Sequence, residues 1–287
     1  MTYMPSVTVI IATYNASATL FAAMQSVMSQ DYTKIHLLIV DGGSSDGTLD
    51  IIAKFDDDRI STISEPDRGI YDAWNKGVKL ANSDKILFIG ADDTLANERS
   101  ISEFWRRVLP EHVTKPMLYG DLNSLAQDGS VVGRVGAAWS NPWTFSGKHV
   151  WSTFPIPIMA TFFDRQALLD VGLFDPSLRI VADINLVLSI AWKSPPQYIK
   201  GVTITNMGFG GISTRPNAGA IVMKEAAQVR RRHGLGVYTN LEFSMRQLQH
   251  RTKFAVTKYL GSTAEKFMIE TIHNIKKFFV AIKIIKF

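Results

Sequence analysis

Over its first hundred residues the chain switches repeatedly between unbroken apolar runs and stretches whose apolar residues recur at helical spacing. SVTVIIA (6–12), IHLLIV (35–40), RISTIS (59–64) and KILFIG (85–90) read as strands. Between them, ASATLFAAMQSVMSQ (16–30), SDGTLDIIAKF (45–55) and GIYDAWNKGVKLA (69–81) read as helices, the second capped by Ser45 or Asp46. Strands that are apolar on both faces and separated by helices predict a mostly parallel sheet covered on each side by helices, an α/β fold.

The pattern changes from Met117. MLYGDLNSL and VVGRVGAAW, separated by Gln127-Asp128-Gly129-Ser130, predict an antiparallel hairpin turned at Asp-Gly. DRQALLDVGLF and ADINLVLSIAW (182–192) predict two more helices, and QYIKGVTITNMGF one or two strands. Beyond GGISTRPNAG (210–219) the spacing is helical to residue 287. The organisation expected is an α/β domain over 1–215 and a helical extension over 216–287, with no internal repeat and no low-complexity segment.

Composition narrows the chemistry. With 46% hydrophobic and 20% charged residues in 287, the chain can bury a sizeable core. It has no cysteine, so any metal must sit on oxygen or imidazole, and a reducing compartment suits it. VTVIIA, FPIPIMATFF (154–163) and FFVAIKIIKF (278–287) are too short to span a bilayer, and no basic segment precedes the first of them as in a signal peptide. The expected location is therefore cytoplasmic.

The net charge of +5 is unevenly spread: residues 224–287 hold 13 Lys/Arg against 4 Asp/Glu, whereas 1–223 hold 18 against 22. In MIETIHNIKKFFVAIKIIKF (268–287), Met268, Ile272, Ile275, Phe279 and Ile282 form one helical stripe, with Lys276, Lys277, Lys283 and Lys286 largely off it. Such a basic amphipathic helix can lie on an anionic membrane surface, here the inner face of the plasma membrane, or pack on protein; Arg230-Arg231-Arg232 adds charge toward the same partner. No nucleic-acid-binding module is present, and nucleic acid is not an expected partner.

Acids stand at the ends of three successive strands: Asp41 after IHLLIV, Glu65 and Asp67 after RISTIS, and Asp92 and Asp93 after KILFIG. In an open α/β sheet this is the edge where ligands bind. Two adjacent carboxylates at a buried strand end need a cation, donors or water. Paired oxygen ligands with open positions around them suit Mn²⁺ or Mg²⁺ shared with a diphosphate. GGSSDG (42–47) lacks the spacing of a dinucleotide fingerprint and no phosphate-binding G-x-x-x-x-G-K-[S/T] occurs, so a nucleotide reading rests on the acids.

ATYNA (12–16), VDGGSSDGT (40–48), EPDRGIYDAWNKGVKLA (65–81) and GADD (90–93), in this order and spacing, resemble the family 2 glycosyltransferases of the GT-A fold, notably bacterial enzymes that extend surface polysaccharides. FFDRQALLDVGLFDPSLRIVADINL (162–186) and, more weakly, GGIS (210–213) extend the resemblance over about residues 6–213. It implies an inverting transferase acting on a nucleoside-diphosphate sugar, with uridine the family's prior, and on a hydroxyl of a saccharide or lipid-linked acceptor.

By the same resemblance Thr13, Tyr14, Asn15 and Asp41 line the base and ribose pocket, with Asp67, Arg68 and Gly69 beside the nucleotide. Asp92 and Asp93 take the place of the metal-binding Asp-x-Asp, Asp93 as the direct ligand, and Asp183 matches the catalytic base. Blander roles stay open: Tyr14 as a packing residue, Arg68 paired with Glu65 or Asp67, Asp183 as a helix cap. Two departures stand out: Ile158-Met159 where the family often has His-Gln, and Ala91 in place of the first Asp of the metal motif. The rival activities are a nucleotidyltransferase or Mg²⁺-dependent phosphotransferase, and a non-catalytic relative that only binds nucleotide sugar.

Overall fold

The apolar run Val7–Thr13 forms β1, which is buried along its whole length because it lies in the middle of the parallel strands. β2 (Ile35–Asp41) and β4 (Lys85–Gly90) pair with it in parallel on its two sides, and β3 (Ile60–Ser64) pairs in parallel with β2. The connecting helices are α1 (Leu20–Met28), α2 (Thr48–Ile52) and α3 (Ile70–Leu80), so the expected alternation of strand and helix is present. The computed structural model describes residues 4–139, 155–208 and 218–235.

Beyond β4 the sheet becomes mixed. β8 (Thr161–Asp164) runs antiparallel to β4 and to β6 (Met117–Leu125), which forms the expected hairpin with β7 (Val131–Val135). β9 (Gln197–Met207) is one strand of 11 residues, parallel to β6, and β5 (Thr94–Leu95) pairs antiparallel with its end. β5, β8 and α4 (Ser100–Arg107) were not anticipated. A two-residue strand has no period, and TFFD of β8 is apolar without alternation; α4 was legible in Ile101, Phe104, Trp105 and Val108 at helical spacing.

The order β3-β2-β1-β4-β8-β6-β9-β5 has a geometric consequence. β5 begins four residues after β4 ends, yet four inter-strand spacings separate the two in the sheet. On a flat sheet that is about 19 Å, whereas four residues reach about 14 Å at most. The sheet must therefore curl until its far margin returns to the end of β4, which sets Asp92 and Asp93 at the seam.

Helices α1 and α4 close the main core with Leu20, Met24, Val27, Ile101, Phe104 and Trp105, none more than 1% exposed. On the other side α3 presses so closely that a Cβ on Gly77 would lie 2.7 Å from Ile10 Cγ2. There Trp74 and Phe88 join Phe174 in an aromatic cluster with ring centroids 5.0 to 5.3 Å apart. α5 (Arg165–Asp170) and α6 (Ala182–Lys193) match the two helices expected before β9.

Helix α2 starts at Gly47 rather than at a Ser45 or Asp46 cap. The Asp46 carboxylate instead accepts from the Thr48 amide and hydroxyl and from the Ser17 amide, fastening two loops together. Contacts divide the chain into two units, Met1–Asn141 with Thr153–Phe209, and Pro142–Ser152 with Gly210–Phe287. In the second, α7 (Ala218–Arg232) buries Met223, Ala226 and Val229, and also Arg230 at 2% exposure, while Arg231 and Arg232 are exposed. The amphipathic stripe at 268–287 lies outside the described residues.

Candidate active site

Strand register brings the acids and loops singled out from the sequence to one edge. Thr13 stands opposite Asp41, Asp41 opposite Ser64, and Ala12 opposite Gly90, so β1, β2, β3 and β4 end in a row. The loops after β1 and β2 are laced together: Gly42 N–H donates to Thr13 O at 2.9 Å, Ser45 N–H to Asn15 Oδ1 at 2.9 Å, and Ala16 N–H to Thr48 Oγ1 at 2.9 Å. Asn15 takes a left-handed φ of 49°, a conformation Asn tolerates better than most residues, and Tyr14 beside it is 66% exposed. Thr13 Oγ1 is buried with no hydrogen-bond partner.

Asp41 is wholly buried and acts as the knot of this region. Its Oδ2 accepts from Gly43 N–H and Ser44 N–H, both at 3.0 Å, and from Ser64 Oγ at 2.6 Å, while Oδ1 accepts from Ser44 Oγ. Burial alone would raise its pKa, but the Ser44 and Ser64 hydroxyls and the two amides outweigh it and hold the carboxyl below the ordinary range. A carboxylate so occupied is chiefly a loop anchor, with room for one further donor on Oδ1.

The turn after β3 leans on the same place. A Cβ at Gly42 would fall 2.6 Å from Asp67 Oδ2, so the absent side chain is what lets Asp67 in. Asp67 Oδ1 accepts from Gly69 N–H at 2.7 Å, and Gly69, at φ 117°, opens α3. Arg68 is 75% exposed in its side chain and pairs with Asp72 at 3.3 Å rather than with Glu65 or Asp67; Glu65 pairs with Lys76 at 2.8 Å.

Asp92 is exposed and Asp93 is 1% exposed. Asp93 Oδ2 accepts from Gly90 N–H and Oδ1 from Gly208 N–H, each at 2.9 Å. Desolvation, and then the charge of Asp92, push the Asp93 pKa up to about 6 despite those two amides. Asp92 Oδ1 and Asp93 Oδ2 both lie 2.8 Å from where a Gly90 Cβ would be, so the two carboxylates converge over a glycine. A divalent cation fits this pair: it would neutralise two like charges held together, and each Asp93 oxygen has a lone pair left. Among the described residues no group of three or more His, Cys, Asp or Glu could hold a metal, so remaining ligands would come from substrate and water.

Asp183 sits in the first turn of α6, whose N-cap is Val181, so it is not the cap itself. The segment before it is fixed by Asn75 of α3, which accepts from Phe174 N–H at 2.9 Å and donates to Phe174 O at 2.8 Å. Tyr71, two residues past Gly69, donates to Ile180 O at 2.6 Å and has its hydroxyl 3.5 Å from Asp183 Oδ1. The candidate base is thereby tied to the turn that carries Asp67–Gly69.

The apolar pair replacing His-Gln lies in a 3-10 turn, Ile158–Ala160: Ile158 is 7% exposed, Met159 packs against the core, and Thr205 Oγ1 donates to Met159 O. The anchors Ser44, Ser64, Tyr71 and Gly208 were not singled out from sequence. Gly208 is the least legible, since a lone glycine after a strand does not announce that its amide reaches a carboxylate 115 positions earlier.

Comparison with known proteins is consistent with this geometry. The Glycosyl transferase family 2 model matches residues 8–120. A PGL/p-HBAD biosynthesis glycosyltransferase of Mycobacterium bovis is 29% identical over 215 residues, covering 73% of this chain and 79% of its own length. The Escherichia coli UDP-Glc:alpha-D-GlcNAc-diphosphoundecaprenol beta-1,3-glucosyltransferase WfaP is 40% identical over 91 residues, 31% of this chain and 36% of its own. Among solved structures, the mannosyltransferase PcManGT from Pyrobaculum calidifontis, in complex with GDP-Man and Mn²⁺, shares the fold with a TM-score of 0.60 at 15% identity, covering 96% of this chain and 81% of its own.

Proposed function

We propose that this chain, whose residues 8–120 match the Glycosyl transferase family 2 model and which has the GT-A fold, is a family 2 glycosyltransferase that moves a sugar, with inversion, from a uridine-diphosphate sugar to a hydroxyl of a saccharide or lipid-linked saccharide in surface polysaccharide synthesis. The observation that carries the proposal is the convergence of Asp92 and Asp93 over Gly90, at the seam where the sheet curls back. Thr13, Tyr14 and Asn15, with Asp67, Arg68 and Gly69, bind the nucleotide, and Asp41 acts through the loop it anchors. WfaP carries a UDP-sugar and a lipid-diphosphate acceptor in its name, which supports both halves of the reading.

Asp92 and Asp93 would hold Mn²⁺ or Mg²⁺, which when bound supplies Lewis-acid neutralisation of the charge building on the leaving diphosphate. Asp183 takes the proton of the attacking hydroxyl, because an alcohol is a poor nucleophile until that proton is shared. No helix of the described residues is long and apolar enough to cross a membrane. The basic C-terminal region would hold the enzyme peripherally on an anionic surface at the cytoplasmic face, where the charge of residues 224–287 suits it.

The test is release of free nucleoside diphosphate from a panel of nucleotide sugars with Mn²⁺ or Mg²⁺. Metal-dependent turnover of one donor by the intact chain, lost in Asp93→Ala and strongly reduced in Asp183→Ala, is the expected result. No turnover of any donor, with a membrane extract as acceptor source, would overturn the proposal.

A further inference from the structure

One face of β6 is polar where the opposite face is core, and its polar face continues onto the neighbouring strands β7 and β9. Leu118 and Leu122 of β6 point into the main cluster, whereas Tyr119, Asp121 and Asn123 alternate with them onto the other face. Two of these three are locked: Tyr119 donates to Ala137 O at 2.5 Å, and Asp121, 3% exposed, accepts from the Tyr198 hydroxyl at 2.6 Å. Gly136, at φ 147°, lies against the Asp121 carboxylate where a Cβ could not fit.

The third continues into an open row. Asn123 Nδ2–H donates to Asn206 Oδ1 at 3.0 Å, and Arg134 Nε–H reaches Asn123 Oδ1 at 3.4 Å. Asn206 stands opposite Thr94, the residue after Asp93, and two positions before Gly208, whose amide holds Asp93. The row therefore starts at the metal-binding edge and runs away from the strands that carry the nucleotide segments. Among the described residues its remaining donors, the Asn206 amide and both terminal nitrogens of Arg134, have no partner, and Arg134 is exposed.

These donors define a chemistry. A guanidinium with its two terminal nitrogens open matches the planar, bidentate geometry of a phosphate or carboxylate oxygen pair, while carboxamides suit sugar hydroxyls. Resting on the transferase reading above, we propose that Asn123, Asn206 and Arg134 form the acceptor subsite: Asn206 orients the hydroxyl-bearing sugar, and Arg134 grips a phosphate group linked to that sugar. The enzyme thus selects acceptors that are saccharides on a phosphate or diphosphate over neutral glycosides.

The experiment first measures metal-dependent donor hydrolysis without acceptor, which tests the transferase reading alone. It then measures transfer to a panel of monosaccharides, each as an alkyl diphosphate and as the uncharged alkyl glycoside. The diphosphate form of at least one sugar is expected to be used about tenfold or more better than its neutral twin, and Arg134→Ala is expected to raise its KM about tenfold while the donor KM moves less than twofold. Arg134→Lys should recover only part of the loss, and Asn206→Ala should raise the KM for charged and neutral acceptors alike. A chain that hydrolyses donor but uses neutral glycosides equally well, or uses no diphosphate acceptor, overturns the subsite and leaves the transferase reading standing. So does a loss in Arg134→Ala that falls on donor KM.

Discussion

Asp41 and Asp93 flank the central strand at the same edge of one sheet, both buried, and their carboxyls titrate in opposite directions. Asp41 is met by two hydroxyls and two amides, enough to hold it ionised inside the protein. Asp93 is met by two amides and by the negative charge of Asp92, and its pKa climbs to about 6. The first carboxylate has most of its acceptor capacity taken by its own loops and shapes them. The second is short of positive charge, and that deficit is what a divalent cation would fill.

The strongest way to break the comparison is to remove the deficit. Asp93→Asn is nearly isosteric but supplies no charge, and metal-dependent sugar transfer should fall at least about a thousandfold while the protein stays folded. Steady-state rates at saturating Mn²⁺ with circular dichroism on the same samples check this. On the proposed base role, Asp183→Asn should cost about a hundredfold or more in kcat with little change in donor affinity.

Asp41→Ala should behave oppositely. It takes the acceptor away from Ser44, Ser64 and two amides, which are half-buried or exposed and can turn partly to water, for a loss of about 1 to 2 kcal/mol in urea unfolding, with a looser nucleotide loop. A variant of normal stability with a raised donor KM would instead make Asp41 a direct nucleotide contact. A milder probe acts on Asp93 through one of its hydrogen bonds. Gly208→Ala would place a Cβ 2.4 Å from Asp92 O, forcing the end of β9 away and removing one amide from Asp93; metal affinity should drop about tenfold without loss of the fold.

The parallel half was legible because its rules are local. Val7–Thr13 and Lys85–Gly90 are apolar on both faces, and α3 carries its apolar residues at one spacing. The curled half was less so, since β5 and β8 are held by partners distant in sequence and too short to show a period. The same division runs through the site. Asp92 and Asp93 could be suspected from two charges ending a buried strand, but that Gly208 holds Asp93 and Tyr71 approaches Asp183 depends on contacts that only the folded chain makes.

The smallest effect is also the most specific, and it lies in pH. Because the folded pKa of Asp93 stands at about 6 against an ordinary 3.8, the metal-free protein binds a proton there that the unfolded chain has already released. Its contribution to stability is therefore present in full below pH 3.8 and is lost as pH rises through 6; bound metal reverses the sense, since it needs the ionised form. Below pH 6 a proton competes with the metal, and apparent Mn²⁺ affinity should fall about tenfold per pH unit, as titration calorimetry between pH 5 and 7 would read. Asp92→Asn removes the neighbouring charge that helps raise this pKa, so its midpoint should move to lower pH even as affinity weakens. Asp41, held ionised by its donors, adds no second inflection in this range. A profile that is flat from pH 5 to 7 would mean that Asp93 is not a ligand, and that the exposed Asp92 carries the metal alone.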